Sequence, residues 1–364
     1  MVYAYPNPAA AIESSRDLIH QSAADVCGLL LYPAADDETD EADALATQLQ
    51  RVLPAEVLAI AVEESGAFGI DYWASMLAAG IHKIVVLLET PQFDRKASVD
   101  ALSAAGQSVD GKSAVEPSVA DAALIRQATL INRIVAEIGL PGPVVEIVRS
   151  IADESELGAQ AVLWKDTLGN AATHPLGTMS PASFVTHNQK RVTFRTAIDH
   201  LLSATNVTTP ERLELPLDSG SPFGQVMVEQ SACTLCMACV STCPAGALLD
   251  GQSLPQLRFI ESNCLQCGLC VNACPEQALS LQPGFEFDTM RARQTEVLNE
   301  EEPFNCISCH TPFATRKMIT TMTDKLSEHW MFEKPEALRR LKMCEDCRVR
   351  DMFAENGEGI DVHR

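Results

Sequence analysis

The first half of the chain alternates unbroken apolar runs with segments of helical period. Gly28-Leu29-Leu30-Leu31-Tyr32, residues 57–62, residues 83–88 and residues 144–148 are runs of strand length with no polar alternation. That is the pattern of parallel strands buried on both faces. Between the first two, Leu45, Leu49 and Val52 share a helical face behind the acidic residues Asp36, Asp37, Glu38, Asp40, Glu41 and Asp43, whose charge suits a solvated helix start. Residues 70–80 form a helix ending at Gly80. Leu124, Ala128, Ile131, Val135 and Ile138 recur in steps of four and three and predict a longer helix, closed by Gly139 and Pro141. Residues 90–117, rich in Ser, Ala and Asp, form a loop.

The order β-α-β-α-β-α-β predicts an α/β domain over residues 1–165, a small parallel sheet covered by helices. Residues 166–222 form a helical linker region. Its helix, near residues 188–203, sets Phe194, Ile198 and Leu201 on one face and Lys190, Arg191 and Arg195 on a solvated face. Pro210, Pro216 and Pro222 mark its end.

Composition narrows the chemistry. Twenty-seven basic residues against 49 acidic ones give a net charge of -22. Such a surface repels nucleic acid and anionic lipid and suits a partner with a basic patch. No stretch reaches the roughly 20 apolar residues of a membrane helix. The start, MVYAYPNPAAAIESSRDLIH, lacks a basic segment followed by an apolar one, so a cytoplasmic location is expected. Neither GxGxxG after a strand nor GxxxxGK[ST] occurs, which leaves no loop for a dinucleotide or a nucleoside triphosphate. Cys27 stands alone before a strand and is read as a buried, inert thiol.

Of the 13 cysteines, the other twelve all follow residue 230. Cysteines at short fixed spacings point to metal rather than disulfides in a reducing compartment. Cys233-x2-Cys236-x2-Cys239-x3-Cys243-Pro244 recurs as Cys264-x2-Cys267-x2-Cys270-x3-Cys274-Pro275, displaced by 31 residues throughout, and Ala247-Leu248 recurs as Ala278-Leu279. Three cysteines on a tight loop hold three corners of a cubane, and in this repeated pattern the distant fourth ligates the other cluster. One 4Fe–4S cluster is therefore assigned to Cys233, Cys236, Cys239 and Cys274, and the second to Cys264, Cys267, Cys270 and Cys243. Leu235, Val240, Leu265 and Leu269 are expected to cover them. Paired zinc sites use two CxxC units rather than this run.

Residues 286–364 carry a second constellation, Cys306-x2-Cys309 and Cys344-x2-Cys347. Two CxxC pairs make a tetrahedral thiolate site, read as structural zinc, with a single rubredoxin-like iron as runner-up. Ile319, Met322 and Leu326 are expected to form core in this small helical domain. Cys306-Ile307-Ser308-Cys309-His310 also matches the haem-attachment motif CxxCH, but that reading needs an exported protein and leaves Cys344 and Cys347 unexplained.

Residues 225–285 resemble the bacterial two-cluster ferredoxin module. The resemblance implies an α+β domain over residues 223–285 and low-potential one-electron transfer. Glu63-Glu64-Ser65-Gly66, the stretch Ala79-Gly80-Ile81-His82-Lys83-Ile84-Val85-Val86-Leu87, and Arg126-Gln127 onward are similar to the delta subunit of methyl-viologen-reducing hydrogenases. In that family the domain carries a 2Fe–2S cluster and passes electrons to a heterodisulfide reductase. Here no cysteine stands at Glu63, Glu89 or residues 90–95, so the resemblance implies the fold without the cluster and a docking or scaffolding role. The domain order, with Phe304-Asn305-Cys306 and Met343-Cys344-Glu345-Asp346-Cys347-Arg348, resembles bacterial multi-domain ferredoxin proteins associated with molybdenum- or tungsten-dependent formate dehydrogenases.

Taken together, the residues predict a multi-domain electron carrier, or an electron-transfer subunit of an oxidoreductase complex, rather than an enzyme. The alternatives are a catalytic reductase subunit, which would need a flavin, a nicotinamide or a further metal, and an iron–sulfur assembly or sensor protein.

Overall fold

The computed structural model describes residues 7–22, 25–34, 49, 51–88, 118–149, 158–159, 161–162, 174–178, 181–182, 184–205, 207–208, 210–251 and 254–355. The acidic stretch of residues 36–43 and the loop of residues 90–117 lie outside these. The chain divides into two compact units, one ending at Leu213 and one beginning at Glu214. No helix among the described residues is long and apolar enough to cross a membrane.

The first unit is built on four parallel strands, β1 (Gly28–Pro33), β2 (Val57–Val62), β3 (Lys83–Leu87) and β4 (Val145–Val148), in the order β2-β1-β3-β4. The two central strands are the ones with the most apolar runs. Leu29, Leu30 and Leu31 of β1 and Ile84, Val86 and Leu87 of β3 are all buried, because helices cover both faces. Among the described residues, its helices include α1 (Pro8–Gln21), α2 (Ile70–Ala78), α3 (Val119–Glu137) and α4 (Lys190–Thr205). Ser118 and Asp121 form a capping box at the start of α3, satisfying two otherwise orphan N–H groups. Asn132 of α3 accepts from the Val145 amide at 3.0 Å and donates to its carbonyl at 2.8 Å, tying helix to edge strand.

Helix α4 packs against α2 within the first unit, burying Phe194, Ala197, Ile198 and Leu201. Arg195, expected on a solvated face, is buried as well. Apolar periodicity located the helix, but a long guanidinium stem can lie along apolar surface, and periodicity does not report that.

His82 immediately precedes β3 and stacks on His174, ring centroids 3.9 Å apart and planes 17° from parallel. Burial, and then the charge of His174, lower the His82 imidazole to about 4, and burial lowers His174 too. The unfolded chain therefore binds more protons than the folded one below the ordinary value of 6.5. The stability this pair contributes is complete above that pH and is lost as pH falls toward 4. At 1.36 kcal/mol per pKa unit the ceiling for His82 is about 3 kcal/mol. Hydrogen-exchange protection of the β3 amides is expected to fall over that window, with a shallower fall in a His82→Phe chain.

Among its described residues, the second unit holds several short antiparallel ladders. β5 (Gly224–Val228) pairs with β8 (Leu279–Glu286), and β6 (Leu248–Asp250) pairs with β7 (Gln256–Phe259), which also pairs with β9 (Glu296–Glu300). Two five-residue helices, α5 (Ala238–Thr242) and α6 (Leu269–Ala273), pack on each other. The helix α7 (Thr289–Arg293) follows β8. The hairpin β10 (Pro303–Asn305) and β11 (Pro312–Thr315) then leads into α8 (Arg316–Leu326), α9 (Pro335–Arg340) and α10 (Glu345–Glu355).

Candidate metal centres

The two cysteine loops fold alike because the repeat extends to the backbone. Leu235 and Gln266, 31 residues apart, both have φ of 54°, and Met237 at 61° matches Gly268 at 77°. A left-handed conformation costs a non-glycine residue about 1–2 kcal/mol, so Leu235, Met237 and Gln266 are held there by their surroundings. The reward is the direction of the amides. The N–H of Gln266 and its side-chain Nε2 donate to Cys264 Sγ at 3.5 and 3.4 Å. After each loop the symmetry repeats: the Ala247 N–H reaches Cys243 Sγ and the Ala278 N–H reaches Cys274 Sγ, both at 3.3 Å. Such donors stabilise thiolates and tune the metal they ligate.

Two cavities lie in this region. One is lined by Cys233, Cys236, Cys239 and Cys274, with Leu235, Leu257 and Leu279. The other is lined by Cys264, Cys267, Cys270 and Cys243, with Val226, Phe259 and Leu281. Each therefore meets three cysteines of one loop and the fourth of the other. The donor set suits a cubane: four sulfurs, apolar walls and N–H groups aimed at sulfur. Burial, reinforced by Cys233, Cys236 and Cys270, pushes the Cys239 thiol up to about 12, and burial raises Cys270 as well. Four thiolates crowded into such a cage need cations among them.

The expected cover is only half present. Leu235 is buried and Val240 half-buried, but Leu265 and Leu269 are each 44% exposed. The reason is local. In the first repeat, the position equivalent to Leu265 is covered by the C-terminal segment, and no described segment does the same for the second. Gln266 was not singled out from sequence. Its signal was there, a polar residue where the other repeat has Leu235.

Cys306, Cys309, Cys344 and Cys347 also come together, with their Sγ atoms all within 4.8 Å of one another and those of Cys309 and Cys344 at 3.6 Å. The first pair sits in the turn of the β10–β11 hairpin, where His310 takes φ of 64°. The second pair sits at the start of α10. The Ile307 N–H donates to the Lys342 carbonyl at 3.1 Å and joins the two halves. A tetrahedron with metal–sulfur bonds near 2.3 Å has sulfur–sulfur edges of about 3.8 Å. The spacing thus fits one ion and leaves no room for an iron–sulfur cube. Burial raises the Cys306 thiol, but N–H donors from Cys309, Cys344 and Ser308 outweigh it and bring it down to about 6. Hydrogen bonding with Cys309 and Cys344 raises Cys347 to about 12. Of the residues expected to form core nearby, Ile319 is buried, Leu326 half-buried and Met322 exposed, since α8 has the rest of the unit on one narrow side only.

Residues 232–279 match a profile described as a 4Fe-4S dicluster domain, and residues 263–314 match a second profile of the same description. The second match runs over Cys306 and Cys309, yet Pro312 and Arg316 stand where a third and fourth cysteine of that motif would fall. No curated protein matches the chain. Residues 232–314 are thus similar to dicluster ferredoxin domains, and the C-terminal half of this chain carries a ferredoxin-like dicluster domain of the kind that supports iron–sulfur electron transfer.

Proposed function

We propose that the protein is an electron carrier, or the electron-transfer subunit of a larger cytoplasmic oxidoreductase, holding two 4Fe–4S clusters by crossed ligation. Cys233, Cys236, Cys239 and Cys274 hold one, and Cys264, Cys267, Cys270 and Cys243 hold the other. The observation that carries this reading is the lining of the two cavities, each with three cysteines from one loop and one from its repeat. When bound, each cluster accepts and returns one electron. The chain supplies the rest. It holds the sulfurs in place, excludes water with Leu235, Leu248, Leu257, Phe259 and Leu279, and brings the cages together through the packing of α5 on α6.

The four-part division at residues 165, 222 and 285 is part of the proposal. The first segment keeps a hydrogenase-delta-like fold without cluster ligands and serves in docking. Cys306, Cys309, Cys344 and Cys347 hold one zinc ion in a structural role, with a single rubredoxin-like iron as the alternative for the same four thiolates. A formate dehydrogenase is the partner that the domain order suggests, and the net charge of -22 suits a basic docking face on it.

Anaerobic purification followed by metal analysis and EPR tests the reading. The expected composition is about eight irons and one zinc per chain, with EPR signals of two interacting clusters on reduction. A colourless chain whose twelve clustered cysteines hold only zinc would overturn it.

A further inference from the structure

The repeat supplies an internal control on how the two cluster loops are covered. Thr234 and Leu265 occupy equivalent positions. The threonine is 6% exposed and the leucine 44%, the reverse of their polarity. What covers Thr234 is the C-terminal segment. Thr315, at the end of β11, donates its hydroxyl to the Thr234 carbonyl at 3.2 Å and accepts from the Met318 N–H as the N-cap of α8. Two residues on, Lys317 donates to the carbonyls of Gln230, at 2.9 Å, and Ser231. Further along α8, Lys325 pairs with Glu276 at 3.0 Å, and Glu276 lines the first cavity.

Little apolar material holds this segment in shape. Its core cluster is Cys306, Met343 and Cys347, with Phe313 and Cys344 against them. Three of those five residues belong to the four-thiol group, and beyond them the segment's buried apolar residues include Ile319 and Leu341, so the group is a large part of a small core. Small modules of this kind rely on a metal or disulfides in place of buried area. Strand β11, which delivers Thr315, starts three residues after Cys309.

We propose that the ion held by Cys306, Cys309, Cys344 and Cys347 braces a cap, formed by β11 and α8, over the first cluster loop, leaving the second as the more open of the two. This rests on the metal reading above and adds what the metal is for. The exposed Leu265 and Leu269 then belong to the loop that outside molecules reach first, while Cys236 and Cys267 are exposed alike in the two loops.

Hydrogen–deuterium exchange on the full, cluster-loaded chain tests it, comparing peptides over residues 230–238 and 261–269. In the unmodified chain the first loop is expected to exchange more slowly than the second. Cys309→Ser, at an exposed ligand, is expected to lose the zinc and keep the iron. It should raise exchange over residues 230–238 by about tenfold, the scale of three lost hydrogen bonds at the weaker end of their range, with residues 261–269 unchanged. Lys317→Ala touches no ligand and should retain the zinc while raising exchange over residues 230–232. Zinc loss with the first loop still protected would overturn the bracing, as would both loops opening together. A purified chain with its full iron but no further metal ion would overturn the metal reading itself, and Lys317→Ala with unchanged exchange would overturn the cap.

Discussion

Replacing Cys239 with serine is expected to remove half of the iron from the anaerobically purified chain and leave the other half as a single, isolated EPR signal. Cys270→Ser should do the same to the other cluster. Each thiol is buried and stands in a different cavity, and a neutral hydroxyl is a far poorer iron ligand than a thiolate. The fold should tolerate the change. Burial pushes the Cys239 thiol up to about 12, so serine introduces no buried charge where the free thiol would be neutral. It also keeps the side chain's volume within one atom exchange. The remaining cluster should survive, because all four of its own ligands are intact under the proposed assignment. Retention of the full iron content and both signals in either variant would sink the ligand assignment.

The sequence exposed different parts of this molecule for different physical reasons. The central strands were legible because parallel strands buried on both faces leave no polar alternation, and Leu29, Leu30 and Leu31 are that pattern in its simplest form. The cluster loops were legible because iron chemistry fixes both residue type and spacing. Here the 31-residue repeat in cysteines is matched by a repeat in backbone angles at Leu235 and Gln266. What spacing could not give was cover. Leu265 and Leu269 look like core from their type, but their exposure is decided by where β11 and α8 lie, some fifty residues away in sequence. The same holds for Arg195, whose burial depends on α4 meeting α2. The four-thiol group was readable as two CxxC pairs. The sulfur distances add that the group has the size for one ion and not for a cube.

The second large effect concerns the fourth cysteine of each motif, where a crossed and an uncrossed cage predict opposite outcomes. Cys243 follows the loop of Cys233, Cys236 and Cys239 in sequence, yet it lines the cavity of Cys264, Cys267 and Cys270. Cys274 lines the first cavity in return. Helix geometry accounts for the exchange. From Cys239 to Cys243 the chain advances through α5 by four residues, about 6 Å at 1.5 Å each, which carries the sulfur off its own loop toward α6. Cys243→Ser and Cys274→Ser are each expected to cost half of the iron. The identity of what survives decides between the two arrangements. With crossed ligation, the cluster left in Cys243→Ser has the EPR signature of the one left in Cys270→Ser, and Cys274→Ser matches Cys239→Ser. If Cys243→Ser matched Cys239→Ser instead, each loop would be closing its own cage. The mutual dependence of the two halves would then go with it, because only crossed ligands make each cluster a staple across both repeats.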